Sequence, residues 1–265
     1  MFSEPYFEAQ RDGNCRAHSL NALFGRKVIE AARLTELSAI FDFEYGSKVT
    51  EQFDCVQSDS LMLVSYILET RAPYVTHYVP IGCMSNFLSE TGARRLEEVI
   101  DPTVPALLCF TVDHIWAVRQ HGGTWWNLDS MQFRPRRVPS PDYGFTASAH
   151  GVVLIYSREE ASQRLLPLYQ RRVCAYLRAQ GLSSVNAIEK WAQGVQKSKE
   201  LGELETALCC FFRVYGRTQK EDKEYKENMR LFKILCIHYA SALPDNVWSV
   251  VIPLTKFIVH FVTPS

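Results

Sequence analysis

The sequence has no surplus of either charge: 29 Lys and Arg stand against 29 Asp and Glu in 265 residues, a formal net charge of zero. A chain whose main task is binding nucleic acid carries a basic excess, so that class is disfavoured. There is no cysteine framework either. The eight cysteines are scattered, with no Cys-x-x-Cys pair and no grouping with histidines at zinc spacing, and free thiols in a reducing compartment are the simplest reading. No unbroken apolar run approaches the roughly 18 residues that suggest a membrane span. The nearest stretch, Val247–Val262, is interrupted by Pro253, Lys256 and His260 and reads as a buried terminal element. Met1-Phe2-Ser3-Glu4-Pro5-Tyr6 has neither the basic nor the apolar region of a signal peptide. These absences point to a cytoplasmic or nuclear protein with no membrane span.

What is present is material for a large core: 47% hydrophobic and 12% aromatic residues. The charge is uneven along the chain. Residues 1–157 carry 13 Lys and Arg against 18 Asp and Glu, and residues 158–265 carry 16 against 11. A net −5 followed by a net +5 suits two regions that face each other or face different partners.

Helical patterns come first. Ala17 to Phe24 is apolar at Leu20, Leu23 and Phe24 and stops at Gly25, and Thr35–Phe43 and Ser58–Leu68 read as further helices. The middle changes character. Pro105–Thr111 is a short apolar run that Ile115–Arg119 continues, Gly122-Gly123 makes a turn, and Thr124–Leu128 begins the next strand, a hairpin signature. Val152–Tyr156 is a fourth strand candidate. Beyond Arg158 the spacing is helical again, over Leu165–Arg178, Asn186–Val195, Leu201–Phe212 and Tyr225–Ala240. The expectation is an α+β domain with N-terminal helices and an antiparallel sheet over residues 1–157, then an all-α region over 158–265.

Three places carry possible chemistry. Gln10-Arg11-Asp12-Gly13-Asn14-Cys15 runs directly into an apolar helix. A helix N-terminus stabilises the thiolate, the reactive form of cysteine, and Asp12-Gly13-Asn14 is turn chemistry that would hold Cys15 there. Gln10, five residues earlier, could donate to an oxyanion beside the backbone N–H of Cys15. His114 stands at the start of a strand, and Asp129 at the end of the strand across the Gly122-Gly123 turn, so the two could meet. The set supplies nucleophile, base and orienting carboxylate. Each member alone has a plainer reading: a buried cysteine, a structural strand histidine, a turn-forming aspartate. His18, one helical turn after Cys15, reads as a supporting residue, because a base on the nucleophile's own helix rarely reaches past it. The remaining seven cysteines mostly occupy apolar patterns and read as core, and His121 as exposed in the hairpin turn.

Gln10-x4-Cys15-x2-His18-x-Leu20-Asn21-x-Leu23, then His114-x-Trp116-x-Val118-Arg119 and Trp125-x-Asn127-Leu128-Asp129-Ser130, resembles the Josephin family of papain-like cysteine proteases. The resemblance spans about residues 4–157. It implies a papain-like domain with deubiquitinase activity and ubiquitin as partner, needing no metal or organic cofactor. Cys15 would be the nucleophile, His114 the general base, Asp129 the third member and Gln10 part of the oxyanion hole, with His18 and Asn21 supporting from the active-site helix. Two details depart from the family or from its pattern of domains. Ile115 stands where the family has an aromatic residue directly after the histidine, and residues 158–265 contain no recognisable ubiquitin-interacting motif. Asp12-Gly13-Asn14-Cys15 is also similar to the ovarian-tumour class of deubiquitinases, whereas the Trp126–Ser130 block favours Josephin.

A deubiquitinase needs a narrow channel for the ubiquitin Gly-Gly tail, because only glycine passes closely between cleft walls. Trp116, Trp125 and Trp126 are candidates for such a wall, or else ordinary hairpin core. Two rival functions remain: processing of a polyprotein or another ubiquitin-like modifier, and a non-catalytic ubiquitin-binding or scaffold module. Residues 158–265 would form a small helical bundle that packs on the first domain or recruits a protein partner.

Overall fold

The computed structural model describes residues 4–11, 13–30, 32–37, 39, 63–65, 67–69, 72–111, 113–144, 149–182, 207–208, 210–212 and 214–215. The chain divides into two compact units, Met1–Glu160 and Ala161–Ser265. Within the described residues the first is mixed helix and sheet, compatible with the α+β class, and is built on one six-stranded antiparallel sheet.

Helix α1, Cys15–Phe24, buries Ala17, Leu20, Ala22 and Leu23. Its end is fixed by Gly25, whose φ of 70° is left-handed, so that the N–H groups of Gly25 and Arg26 reach back to the carbonyls of Ala22 and Asn21. A side chain at Gly25 would be strained there and would also strike the Arg119 guanidinium, which donates to the Ala22 carbonyl at 3.4 Å. Residues 32–37 and 39 are helical, so the helix expected over Thr35–Phe43 is already formed at 32, and residues 63–65 and 67–69 are helical, reaching one residue past the expected Ser58–Leu68; the other residues of both expected helices lie outside the described residues.

The strands are β1 (Tyr74–Pro80), β2 (Ala106–Phe110), β3 (Ile115–His121), β4 (Thr124–Leu128), β5 (Arg136–Val138) and β6 (Gly151–Ser157). They lie in the order β1-β6-β2-β3-β4-β5. The five successive apolar residues Val152–Tyr156 place β6 inside the sheet, buried on both faces. On one face Leu108, Ala117, Leu128 and Val153 join α1 in a single core with Leu63, Val64, Ile67 and Leu68. From the other face Tyr156 donates its hydroxyl to the Val99 carbonyl at 2.7 Å. The β3–β4 hairpin has the expected turn: Gly122 and Gly123 have φ of 58° and 75°, the pair of left-handed residues that a two-residue turn matched to strand twist requires.

Ile115–Arg119 does not extend the run of Pro105–Thr111. The chain reverses between them and the two segments pair antiparallel. The Thr111 N–H donates to the His114 carbonyl at 2.8 Å, and the Thr111 hydroxyl accepts from the His114 N–H at 3.2 Å while donating to Asp113 Oδ1 at 3.0 Å. Strands β1 and β5 and helix α2, Met84–Thr91, carry weak local patterns. β1 mixes Thr76, His77 and Tyr78 into its apolar residues, β5 has three residues with two exposed arginines, and α2 buries Phe87 alone.

In the second unit, helix α3, Leu166–Ala179, buries Leu168, Tyr169, Val173 and Leu177, and residues 207–208, 210–212 and 214–215 are helical, with Phe211 stacked on Tyr215. The helices expected over Asn186–Val195 and Tyr225–Ala240, and the Val247–Val262 element, lie outside the described residues. Among the described residues no helix is long and apolar enough to cross a membrane.

Candidate active site

The site is assembled from four short segments. Cys15 is the first residue of α1, after Asn14, and is 9% exposed. His114 immediately precedes β3, and Asp129 immediately follows β4. The β3–β4 register pairs Ala117 with Leu128, which brings the open ends of the hairpin, and with them these two side chains, side by side. His114 Nε2 lies 2.7 Å from Asp129 Oδ1, and both side chains are largely enclosed, at 12% and 13% exposure. Cys15 and His114 also act on each other electrostatically, each shifting the other's titration.

The electrostatics favour a charged pair. Burial pushes the Cys15 thiol up, but the hydrogen bond to His114, the Ile115 N–H, and the positive charges of His114 and Arg16 outweigh it, leaving the thiol below its ordinary value. Burial likewise pulls His114 down, yet the hydrogen bonds to Asp129 and Cys15 and their negative charges raise it to about 9. Asp129 is held below the usual carboxylate range: desolvation is overcome by His114, the Met131 N–H and Gln132. The three shifts all favour the charged forms: thiolate, imidazolium and carboxylate. Cys109, fully buried in β2, shows the contrast: desolvation raises its thiol well above the ordinary value.

Gln10 joins through Ser130. Its backbone N–H donates to the Ser130 carbonyl at 2.7 Å, and the Ser130 hydroxyl donates to Gln10 Oε1 at 3.0 Å. Ser130 directly follows Asp129, so the residues run in unbroken contact from Gln10 through Ser130 and Asp129 to His114.

His18 is engaged by Glu8. Its Nδ1 lies 3.0 Å from Glu8 Oε2, and the same carboxylate accepts from Asn21 Nδ2 at 3.0 Å and from the Tyr6 hydroxyl at 2.5 Å. Desolvation would raise Glu8, but these three donors hold it below its ordinary value. Burial and the same carboxylate push Tyr6 up to about 12. Asn21 also clamps the chain beyond the helix, accepting from the N–H groups of Val28 and Ile29 and donating to the Ile29 carbonyl, each at 2.9 Å. Glu8 and Gln10 are two residues apart, so this cluster ties the segment carrying Gln10 to the helix carrying Cys15.

The tryptophans do not form an open wall. Trp116, Trp125 and Trp126 are 1%, 7% and 2% exposed, because β3 and β4 lie inside the sheet and are covered on both faces. Trp116 stacks on the His114 ring at a centroid distance of 5.5 Å and donates its Nε1 to the Gly144 carbonyl at 2.9 Å, so it supports the base from behind. Trp126 belongs to the core around α1, with Arg137 over its ring. Two smaller expectations also change. His121 is half-buried as the last residue of β3, and Cys83 is exposed in the 3-10 turn Ile81–Cys83.

Ser19, Ser130 and Glu8 were not singled out by the sequence. Ser130 lies inside the Trp125–Ser130 block and was the most accessible of the three. Among the described residues no group of His, Cys, Asp and Glu side chains is placed to hold a metal ion. Compared with protein families and with curated proteins, the chain has no match.

Proposed function

We propose that this chain is a thiol-dependent hydrolase of papain-like fold, similar to the Josephin deubiquitinases, that cleaves the isopeptide or peptide bond after the C-terminal glycine of ubiquitin. The observation that carries the reading is the 2.7 Å contact of His114 with Asp129, beside a Cys15 at the start of α1 whose thiol His114 draws below its ordinary value. A buried cysteine of merely structural use has its thiol raised, as Cys109 does; Cys15 has it lowered.

In this mechanism the Cys15 thiolate attacks the carbonyl carbon of the terminal glycine. The Cys15 N–H and the Gln10 amide stabilise the oxyanion, and protonated His114 delivers its proton to the leaving amine. His114, now neutral, takes a proton from water as its oxygen attacks the thioester, the acid is released, and the thiolate–imidazolium pair is restored. Asp129 keeps the ring oriented and stabilises its charged form. Large apolar side chains at the surface just beyond the carboxylate, Met131 at 65% and Phe133 at 100% exposure, suit a protein substrate.

The test is labelling by ubiquitin bearing a C-terminal electrophile. Wild-type protein should gain one ubiquitin in mass, and Cys15→Ala none. Wild type that stays unlabelled while a probe built on another ubiquitin-like modifier reacts would redirect the substrate assignment, and equal labelling of both proteins would remove Cys15 from the chemistry.

A further inference from the structure

Ser130 is the residue that the chemistry above leaves unused, although it touches two members of the site. It is 2% exposed, follows Asp129 in the chain, and meets Gln10 twice, through its own carbonyl at 2.7 Å and its hydroxyl at 3.0 Å. A glutamine amide is nearly symmetric in shape and opposite in function at its two ends, the oxygen accepting and the nitrogen donating. An oxyanion hole needs the nitrogen. An amide rotated by a half-turn would present its oxygen to the developing negative charge and oppose the reaction.

We propose that Ser130 is the positioning residue that sets the sense of the Gln10 amide: by donating to Oε1 it takes up the acceptor end and leaves the two Nε2 hydrogens for the oxyanion. The Met131 N–H donates to Asp129 Oδ1 at 3.0 Å, and the Gln132 N–H donates to the Asp129 carbonyl at 2.9 Å. One turn, 129–132, therefore sets both the carboxylate that orients the base and the serine that orients the oxyanion donor. The inference rests on the proposed hydrolase function and deepens it.

The experiment compares two reactions of the same thiol. Hydrolysis of ubiquitin carrying a fluorogenic C-terminal amide needs the oxyanion hole, whereas alkylation by iodoacetamide is a displacement at carbon that forms no oxyanion. Ser130→Ala should lower kcat about 10- to 100-fold with KM within about twofold, the scale on which a lost or misplaced oxyanion donor acts. Its alkylation rate and the pH profile of that rate should match wild type. In a double-mutant cycle, adding Ser130→Ala to Gln10→Ala should cost no more than Gln10→Ala alone. Should Ser130→Ala not fold, Ser130→Thr and Ser130→Val, alike in shape with and without a hydroxyl, make the same comparison, and only Thr should retain turnover. A wild type that alkylates at Cys15 but hydrolyses nothing overturns the proposed function and this inference together. A wild type that turns over, with Ser130→Ala within threefold of it or with equal losses in hydrolysis and alkylation, overturns this inference alone.

Discussion

The hydroxyl of Ser19 lies 2.7 Å from the carbonyl oxygen of Ile115 and 2.6 Å from that of Cys15, one turn earlier on the same helix. A single buried proton is thus shared between the backbone of the nucleophile and the backbone next to the base. Helix α1 and strand β3 are pinned together at the point where the thiol and the imidazole must meet.

Removing that hydroxyl takes the side-chain donor from the Ile115 carbonyl, while the Cys15 carbonyl, within the helix, loses one of its donors. Ser19→Ala should lower unfolding free energy by about 1–3 kcal/mol in urea titration. It should also slow alkylation of Cys15 at pH 7, since the helix can then drift from β3. A variant with unchanged alkylation would show that packing of Leu20 and Leu23 alone fixes the helix.

The charged pair predicts a pH profile. The thiol is depressed, so alkylation should reach half its maximum below the ordinary thiol range. Hydrolysis also requires protonated His114 and should fall as pH rises through about 9. Asp129→Ala removes the hydrogen bond and charge that raise His114, so the alkaline limb should move to lower pH and kcat should drop roughly 10²- to 10⁴-fold. An alkaline limb that stays in place would mean that another group sets the ring's protonation.

Acid should unfold the first unit partly through Asp101, which is fully buried and accepts from the Thr103 N–H at 2.6 Å, the Thr103 hydroxyl at 2.7 Å and the Ser157 N–H at 2.5 Å. Burial pushes its carboxyl up, but these donors hold it below the ordinary value. A carboxylate whose folded pKa is depressed stabilises the fold above its unfolded value, near 4, and this contribution disappears as pH falls through the folded value. Urea titrations from pH 6 to pH 3 should show Asp101→Asn losing less stability than wild type over that range. At pH 7 the same variant should be less stable by about 1.5–3 kcal/mol.

Gly144 is closed to any side chain, because a Cβ there would strike Val118. Its carbonyl accepts from Trp116 Nε1 at 2.9 Å and from Asn127 Nδ2 at 3.3 Å, and Asn127 Oδ1 in turn accepts from the Asp129 N–H at 3.1 Å. Gly144→Ala should therefore cost about 1–3 kcal/mol in stability. The displaced carbonyl should also loosen the support of both His114 and Asp129. Turnover falling further than the loss of folded protein explains would be the sign of that second effect.

The local features of the site could be read directly. Asn14-Cys15 before an apolar helix, and Gly122-Gly123 between two strands, are short-range signals, and the structure has α1 beginning at Cys15 and the hairpin turning at the glycines. The tryptophans could not be placed this way. Whether Trp116 or Trp126 lines a cleft or fills the interior depends on what covers each face of the sheet, and alternation within one strand does not carry that information. Strand β1 was missed for a related reason: its polar Thr76 and His77 are buried, with Thr76 paired to Glu69 and His77 packed on the Phe87 ring.

By itself the sequence determined which residues could react and on which local elements they sit, because helix starts, turns and apolar runs are governed by neighbours a few positions away. The tertiary structure alone decided the contacts that fix them: Ser19 to Ile115 across 96 residues and Ser130 to Gln10 across 120. A hydrogen bond forms only within a few tenths of an ångström of its ideal length, and such closeness between distant segments follows from sheet register and helix docking, which leave no period in the chain.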